Sequence, residues 1–185
     1  ATGLCAGSYF VSLSDADGCL AVENVIITEP DPLIAVATED SGIQCNGEIN
    51  GQSTATVDGG TLPYTFAWDN GETNNPAIAL SPGLHIVTIT DANACETTAG
   101  TTINEPPVLD LSLTVDSDFN GFAISCNASA DGIISSLPFG GTLPYTFQWS
   151  NGATTNVLAD LPSGDYTLTL TDANGCMVID MVNLN

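Results

Sequence analysis

Six cysteines, one histidine and a series of Asp- and Asn-rich turns are the groups in this 185-residue sequence whose chemistry could go beyond packing. His85 is the only conventional side-chain general base. It aligns with Tyr9 and Tyr166, so the position selects a ring for packing and not a proton carrier. No nucleophile–base pair, phosphate loop or metalloprotease helix accompanies it, and the reading is that of a non-enzyme.

The cysteines are more informative. Cys45 and Cys95 stand 50 residues apart, and so do Cys126 and Cys176. Free thiols need not keep such a register, so the spacing predicts a disulfide within each pair, worth about 4 kcal/mol in the chain-entropy description of a loop that long. It also places the chain in an oxidising compartment. Zinc is the rival ligand, but there is no CxxC pair and only one His. Cys19 occupies the position of Cys95 and Cys176, with its own partner expected before residue 1, and Cys5 has no counterpart.

Three acidic turns recur: Asp15-Ala16-Asp17-Gly18, Asp91-Ala92-Asn93-Ala94 and Asp172-Ala173-Asn174-Gly175. Asp and Asn satisfy turn amides and tolerate left-handed backbone, so each reads as a tight hairpin turn. A different loop, Asp116-Ser117-Asp118-Phe119-Asn120-Gly121, spaces oxygen ligands like the first half of an EF-hand loop. Asp116, Asp118 and Asn120 are therefore candidate Ca²⁺ ligands, although the twelfth position is Asn127 where such a loop has a bidentate Glu. Asn127-Ala128-Ser129 is also a formal N-glycosylation sequon.

These groups sit on a repeat. GGTLPYTFAWDNG (59–71) returns as GGTLPYTFQWSNG (140–152), at the same offset of 81 residues that separates both cysteines of one pair from those of the other. ITEP (27–30) returns as INEP (103–106). The chain divides into the C-terminal part of one repeat (1–30), a whole repeat (31–106) and a second (107–185), whose five extra residues precede Cys126. Short alternating runs near 33–38, 52–57, 63–68, 77–80, 84–90 and 96–104, with Gly, Pro and Asn between them, predict six strands in 31–106. Six or seven short strands in about 80 residues indicate an all-β fold of tandem immunoglobulin-like sandwiches, each stapled by one disulfide. In the strand PYTFxW, Tyr64, Phe66 and Trp68 share a face, as do Tyr145, Phe147 and Trp149. They read as a core stripe; the alternative is an exposed platform that stacks on sugar rings.

Composition excludes partners. With no Lys or Arg and 22 Asp plus Glu, the formal charge is −22, which rules out binding to nucleic acid or anionic lipid by phosphate neutralisation. It also rules out a Lys–Asn isopeptide staple and leaves trypsin nowhere to cut. Self-repulsion favours an extended, soluble object. No run of apolar residues reaches membrane-spanning length.

The combined pattern is a Cys turn, GGT-x-PYTF-x-W-x-NG, G-x-Y-T-L-x-x-TDANGC and a strand ending in EP. It resembles the SprB-type repeat, which occurs in tandem in very large surface adhesins of gliding Bacteroidota. Departures are local: His85 stands where Tyr166 does, and Ala94 replaces the Gly of TDANGC. The resemblance implies an extracellular protein exported by the type 9 route. It implies a structural and adhesive stalk segment of a cell-surface filament used in adhesion and gliding, with neighbouring repeats and an extracellular surface or polysaccharide as partners. A glycan-binding surface module and a self-assembling extracellular filament subunit are the alternatives.

Overall fold

The computed structural model describes residues 1–126 and 129–185. Asn127 lies outside the described residues, and with it the sequon and the twelfth position of the Asp116 loop. The described chain is all strand and turn: β1 (Gly7–Ser14), β2 (Leu20–Ile27), β3 (Ile34–Ser41), β4 (Gly51–Asp58), β5 (Thr65–Trp68), β6 (Ala77–Leu80), β7 (Gly83–Thr90) and β8 (Glu96–Ile103) come first. β9 (Asp110–Val115), β10 (Gly132–Phe139), β11 (Thr146–Trp149), β12 (Val157–Leu161), β13 (Gly164–Thr171) and β14 (Met177–Leu184) complete it. Among the described residues no helix is long and apolar enough to cross a membrane.

Each whole repeat is a sandwich of two three-stranded antiparallel sheets, β3-β4-β6 on β5-β7-β8 and β9-β10-β12 on β11-β13-β14. Alternation along the strands decides which residues go inside. In β7, His85, Val87 and Ile89 are buried while Leu84 and Ile86 face out; in β13, Tyr166, Leu168 and Leu170 take the inner positions. The first core gathers Ile43, Ala55, Trp68, Ala77, Leu80, Val87, Ile89 and Ile103, and the second gathers the corresponding side chains around Trp149. The six strands of the first repeat thus fall within a few residues of the runs read from the sequence.

The β1–β2 hairpin has the register of β7–β8 but, among the described residues, packs on no second sheet. Val11 and Leu13, at the positions of Val87 and Ile89, are consequently exposed. The five extra residues of the second repeat lie between β9 and β10. There Phe119 and Phe122 exchange backbone hydrogen bonds, and Asn120 takes a positive φ of 58° at the tip.

Strand direction gives every sandwich two poles. At the entry pole β7 ends and β8 begins, and the double-glycine turn clamps the incoming chain: Gly60 N–H donates to Asp31 C=O at 2.8 Å, and Gly141 N–H donates to Pro107 C=O at 2.9 Å. The first glycine of each pair has a positive φ, and a Cβ there would lie 2.0 Å from Pro32 O in one repeat and 1.8 Å from Val108 O in the other. Only glycine fits. At the exit pole the loop after β3 meets the end of β8, with Ile43 N–H donating to Asn104 C=O at 2.8 Å. The Glu39 carboxylate accepts both Asn104 N–H and Asn104 Nδ2, each at 2.8 Å.

Candidate functional site: the junction between repeats

The aromatic stripe belongs to the cores. Trp68 and Trp149 are 3 % and 2 % exposed, and their indole N–H groups donate to Asn74 C=O at 3.1 Å and Thr155 C=O at 2.9 Å. Phe66 and Phe147 are half-buried against the same clusters, with Tyr64 and Tyr145 beside them. Each tyrosine hydroxyl donates to the first glycine of its own GG turn, Tyr64 to Gly59 C=O and Tyr145 to Gly140 C=O, both at 2.5 Å. The duplicated motif is a brace that ties the entry turn to a core strand.

The Asp of each TDANGC turn does equivalent work. Asp172 is buried; its Oδ2 accepts Thr142 N–H at 2.9 Å, and its Oδ1 accepts Asn174 N–H and Cys176 N–H, both at 2.9 Å. Asp91 repeats this with Thr61, Asn93 and Cys95. The Cys95 amide, followed by the Thr61 and Asn93 amides, outweighs burial and holds the Asp91 carboxyl below the usual carboxylate range. These carboxylates are spent on backbone donors that join the two sheets at the entry pole.

His85 proves to be hydrogen-bonded as well as packed. Its Nδ1 meets Asp69 Oδ1 at 2.7 Å and its Nε2 meets Ser81 C=O at 2.9 Å, so both ring nitrogens face acceptors. Burial pulls the imidazole pKa down, but the Asp69 hydrogen bond, the Ser81 carbonyl and the Asp69 charge outweigh it, and the net shift is upward. The second repeat makes the same brace without charge: Tyr166 donates its hydroxyl to Pro162 C=O at 2.9 Å, and Ser150 stands where Asp69 does. Tyr9 does likewise to Cys5 C=O. Sequence reasoning saw only a ring; the pairing of Asp69 with His85 and of Ser150 with Tyr166 was the available signal.

The candidate Ca²⁺ ligands do not form a common set. Asp116 accepts from Thr114 Oγ1 at 3.1 Å and from Ser135 Oγ, whereas Asp118 accepts Gly121 N–H at 2.7 Å within its own turn. Among the described residues no three His, Cys, Asp or Glu side chains converge on a point.

The cysteines require a correction. The structure joins Cys45 to Cys176, across 131 residues and from one repeat to the next, with Cα atoms 5.6 Å apart. Cys95 and Cys126 are free and exposed, as are Cys5 and Cys19. The pairs Cys45–Cys95 and Cys126–Cys176 expected from the spacing are therefore not formed. The reason is polarity: Cys95 closes the turn at the entry pole, and Cys45 lies in the loop at the exit pole. The eight residues of β7 run between the poles, about 26 Å at the rise of a strand, far beyond the reach of a disulfide. Each sandwich carries one cysteine per pole, and the bond forms where the exit of the first repeat meets the entry of the second.

Hydrogen bonds surround that bond. Asn174 Nδ2 donates to Gln44 C=O at 2.8 Å, Asn46 Nδ2 donates to Pro106 C=O at 3.0 Å, and Gly47 N–H donates to Glu105 Oε2 at 3.1 Å. The loop of the first repeat thus grips both the Glu105-Pro106 linker and the TDANGC turn of the second. The disulfide and these hydrogen bonds join the exit loop of the first repeat to the linker and to the entry turn of the second.

The sequence profile of the SprB repeat matches residues 41–73 and 124–154, the segments from the exit loop to the aromatic strand in each sandwich. One such match falls in each of the two sandwiches. No curated protein matches the chain. Among solved structures it is similar to the N-terminal eight Ig domains of Down Syndrome Cell Adhesion Molecule, at 13 % identity and TM-score 0.42 over 97 % of this chain and 27 % of that one. It is similar to a C-terminal fragment of intimin solved with the intimin-binding domain of its translocated receptor, at 14 % identity and TM-score 0.38, over 85 % and 65 % of the two chains. A third is a tetra-tandem repeat from the extending region of a large adhesion protein, at 14 % identity and TM-score 0.29, over 100 % of this chain and 58 % of that one. The chain spans about a quarter of the first of these.

Proposed function

We propose that this chain is a stalk segment of a long extracellular adhesin filament, used in surface adhesion and gliding motility and exported by the type 9 route. Its role is mechanical and needs neither catalysis nor a cofactor. The observation that carries the reading is the junction between the two repeats, which are joined by a disulfide and a hydrogen bond from Asn174 to Gln44, with two further hydrogen bonds holding the Glu105-Pro106 linker to the exit loop. A covalent bond at the junction passes tension from one sandwich to the next when the linker is pulled. The charge of −22 keeps neighbouring filaments apart. With both indoles buried, a sugar-stacking platform has no exposed Trp to build on.

Small-angle X-ray scattering of the 185-residue chain tests this reading. A compact domain of this length has a radius of gyration of about 16 Å. The stalk reading expects a clearly larger value that is unchanged by dilution, with the distance distribution of a rod. A value near 16 Å overturns it.

A further inference from the structure

The two unpaired ends of the repeat pair mirror the bonded junction. In the first repeat, the turn that presents Cys45 is closed by Glu48 N–H donating to Cys45 C=O at 3.1 Å, and Gln44 N–H donates to Asn50 Oδ1 at 3.4 Å. In the second, Ser129 N–H donates to Cys126 C=O at 3.0 Å and Ser125 N–H donates to Asp131 Oδ1 at 3.2 Å. These are the same bonds at an offset of 81 residues, so Cys126 is presented as Cys45 is. An open pocket lies beside it, lined by Phe122, Ile124, Ser125, Cys126, Ser163 and Asn185. Four of these correspond to Ile43, Gln44, Cys45 and Asn104 of the exit pole of the first repeat, where Gln44 and Cys45 hold the second repeat. At the opposite pole Cys95 is held by the Asp91 turn as Cys176 is by Asp172. Asn93 Nδ2 bonds Thr61 Oγ1 as Asn174 Nδ2 bonds Thr142 Oγ1, but only Asn174 also has a carbonyl from a preceding exit loop.

We propose that Cys126 is the open half of a second inter-repeat disulfide, bonding the cysteine that closes the TDANGC turn of an SprB repeat joined after Asn185. Cys95 is the matching half for the exit-loop cysteine of a repeat joined before it. Each cysteine pair 50 residues apart then spans one sandwich from pole to pole, and tandem repeats are chained covalently one to the next. The bond forms by thiol–disulfide exchange with an oxidised glutathione or an oxidised dithiol protein. Two thiols lose two protons and two electrons, one S–S bond forms, and the oxidant's disulfide is reduced to two thiols. The pocket next to Cys126 accommodates the incoming turn, with the Ser125 carbonyl placed for its Asn side chain as Gln44 is for Asn174. The inference rests on the tandem-stalk reading for its partner, but its test reads bond pairing alone, so the adhesive role can fail without affecting it.

The test extends the full chain by one copy of residues 105–185 fused after Asn185. The appended copy carries Phe119→Tyr and Met177→Leu, so that its two cysteine peptides differ in mass from the originals. After refolding in a reduced/oxidised glutathione buffer, free thiols are alkylated and the protein is digested for mass mapping with an Asp-specific protease, which puts Cys126 and Cys176 on separate peptides. The expected result is two linkages, Cys45 to Cys176 and Cys126 to the appended copy of Cys176. The appended copy of Cys126, with nothing beyond it, stays alkylated and serves as control. In the Cys126→Ser version the appended Cys176 becomes alkylated while Cys45–Cys176 persists. Alkylated Cys126 beside an intact Cys45–Cys176 bond overturns the proposal, as does a Cys126–Cys176 bond within one repeat or a failure to form Cys45–Cys176.

Discussion

Removing the observed disulfide, and separately the Cys95 thiol that the rejected pairing would join to Cys45, tests the junction directly. With the first repeat folded, Cys45 is held beside Asn104 by the Ile43–Asn104 hydrogen bond. The loop that the bond closes when only the second repeat unfolds therefore runs from the linker to Cys176, about 70 residues, and the chain-entropy relation gives about 4.4 kcal/mol. If both repeats unfold together the loop spans all 131 residues and the figure rises to about 5 kcal/mol. Urea unfolding followed by indole fluorescence is suited to this, because each repeat has one buried Trp; a Trp68→Phe background reports the second repeat alone. Cys45→Ser and Cys176→Ser should each destabilise the second repeat by about 4 kcal/mol relative to the oxidised protein, less whatever native-state strain the bond carries. Cys95→Ser, an exposed and unbonded position, should stay within about 0.5 kcal/mol. If Cys95→Ser costs as much as Cys45→Ser, the bond lies within the first repeat and the polarity argument fails.

Further outcomes follow from the braces within each sandwich. The folded-state pKa of His85 is raised, so its contribution is fully present below the unfolded value of about 6.5 and is lost as pH rises through the folded value. The melting temperature of the first repeat should fall over that window, and the double variant Asp69→Ser with His85→Tyr, which copies Ser150 and Tyr166, should flatten the profile; an unchanged slope would discount the ion pair. Asp172→Ala leaves three backbone amides of the entry pole without their acceptor and should cost about 2–4 kcal/mol by urea unfolding, with a cost under 1 kcal/mol refuting the brace. Trp149→Ala should lose about 3–5 kcal/mol of stability in the second repeat, and a variant that stayed fully stable while losing glycan-array binding would restore the sugar-platform reading.

Much of the fold was legible because its signals are local. Alternating side chains mark strands whatever lies around them, and β4, β6, β7 and β8 begin and end within two residues of the runs that foretold them. The GG and TDANGC turns were legible too, since glycine at positive φ and Asp over turn amides are short-range requirements. The hydroxyl and imidazole braces at Tyr166 and His85 were not, because a ring that packs and a ring that also bonds leave the same trace in sequence.

The period of the sequence determined that this protein is a tandem of equivalent sandwiches with two cysteines each, 50 residues apart. It could not determine how those cysteines pair. A translational repeat is preserved equally by bonding Cys45 to Cys95 within a sandwich and by bonding Cys45 to Cys176 across a junction, so spacing alone has no preference between them. Only the tertiary structure decided, by putting the two cysteines of one sandwich at opposite ends of an eight-residue strand and bringing the exit loop of one repeat against the entry turn of the next.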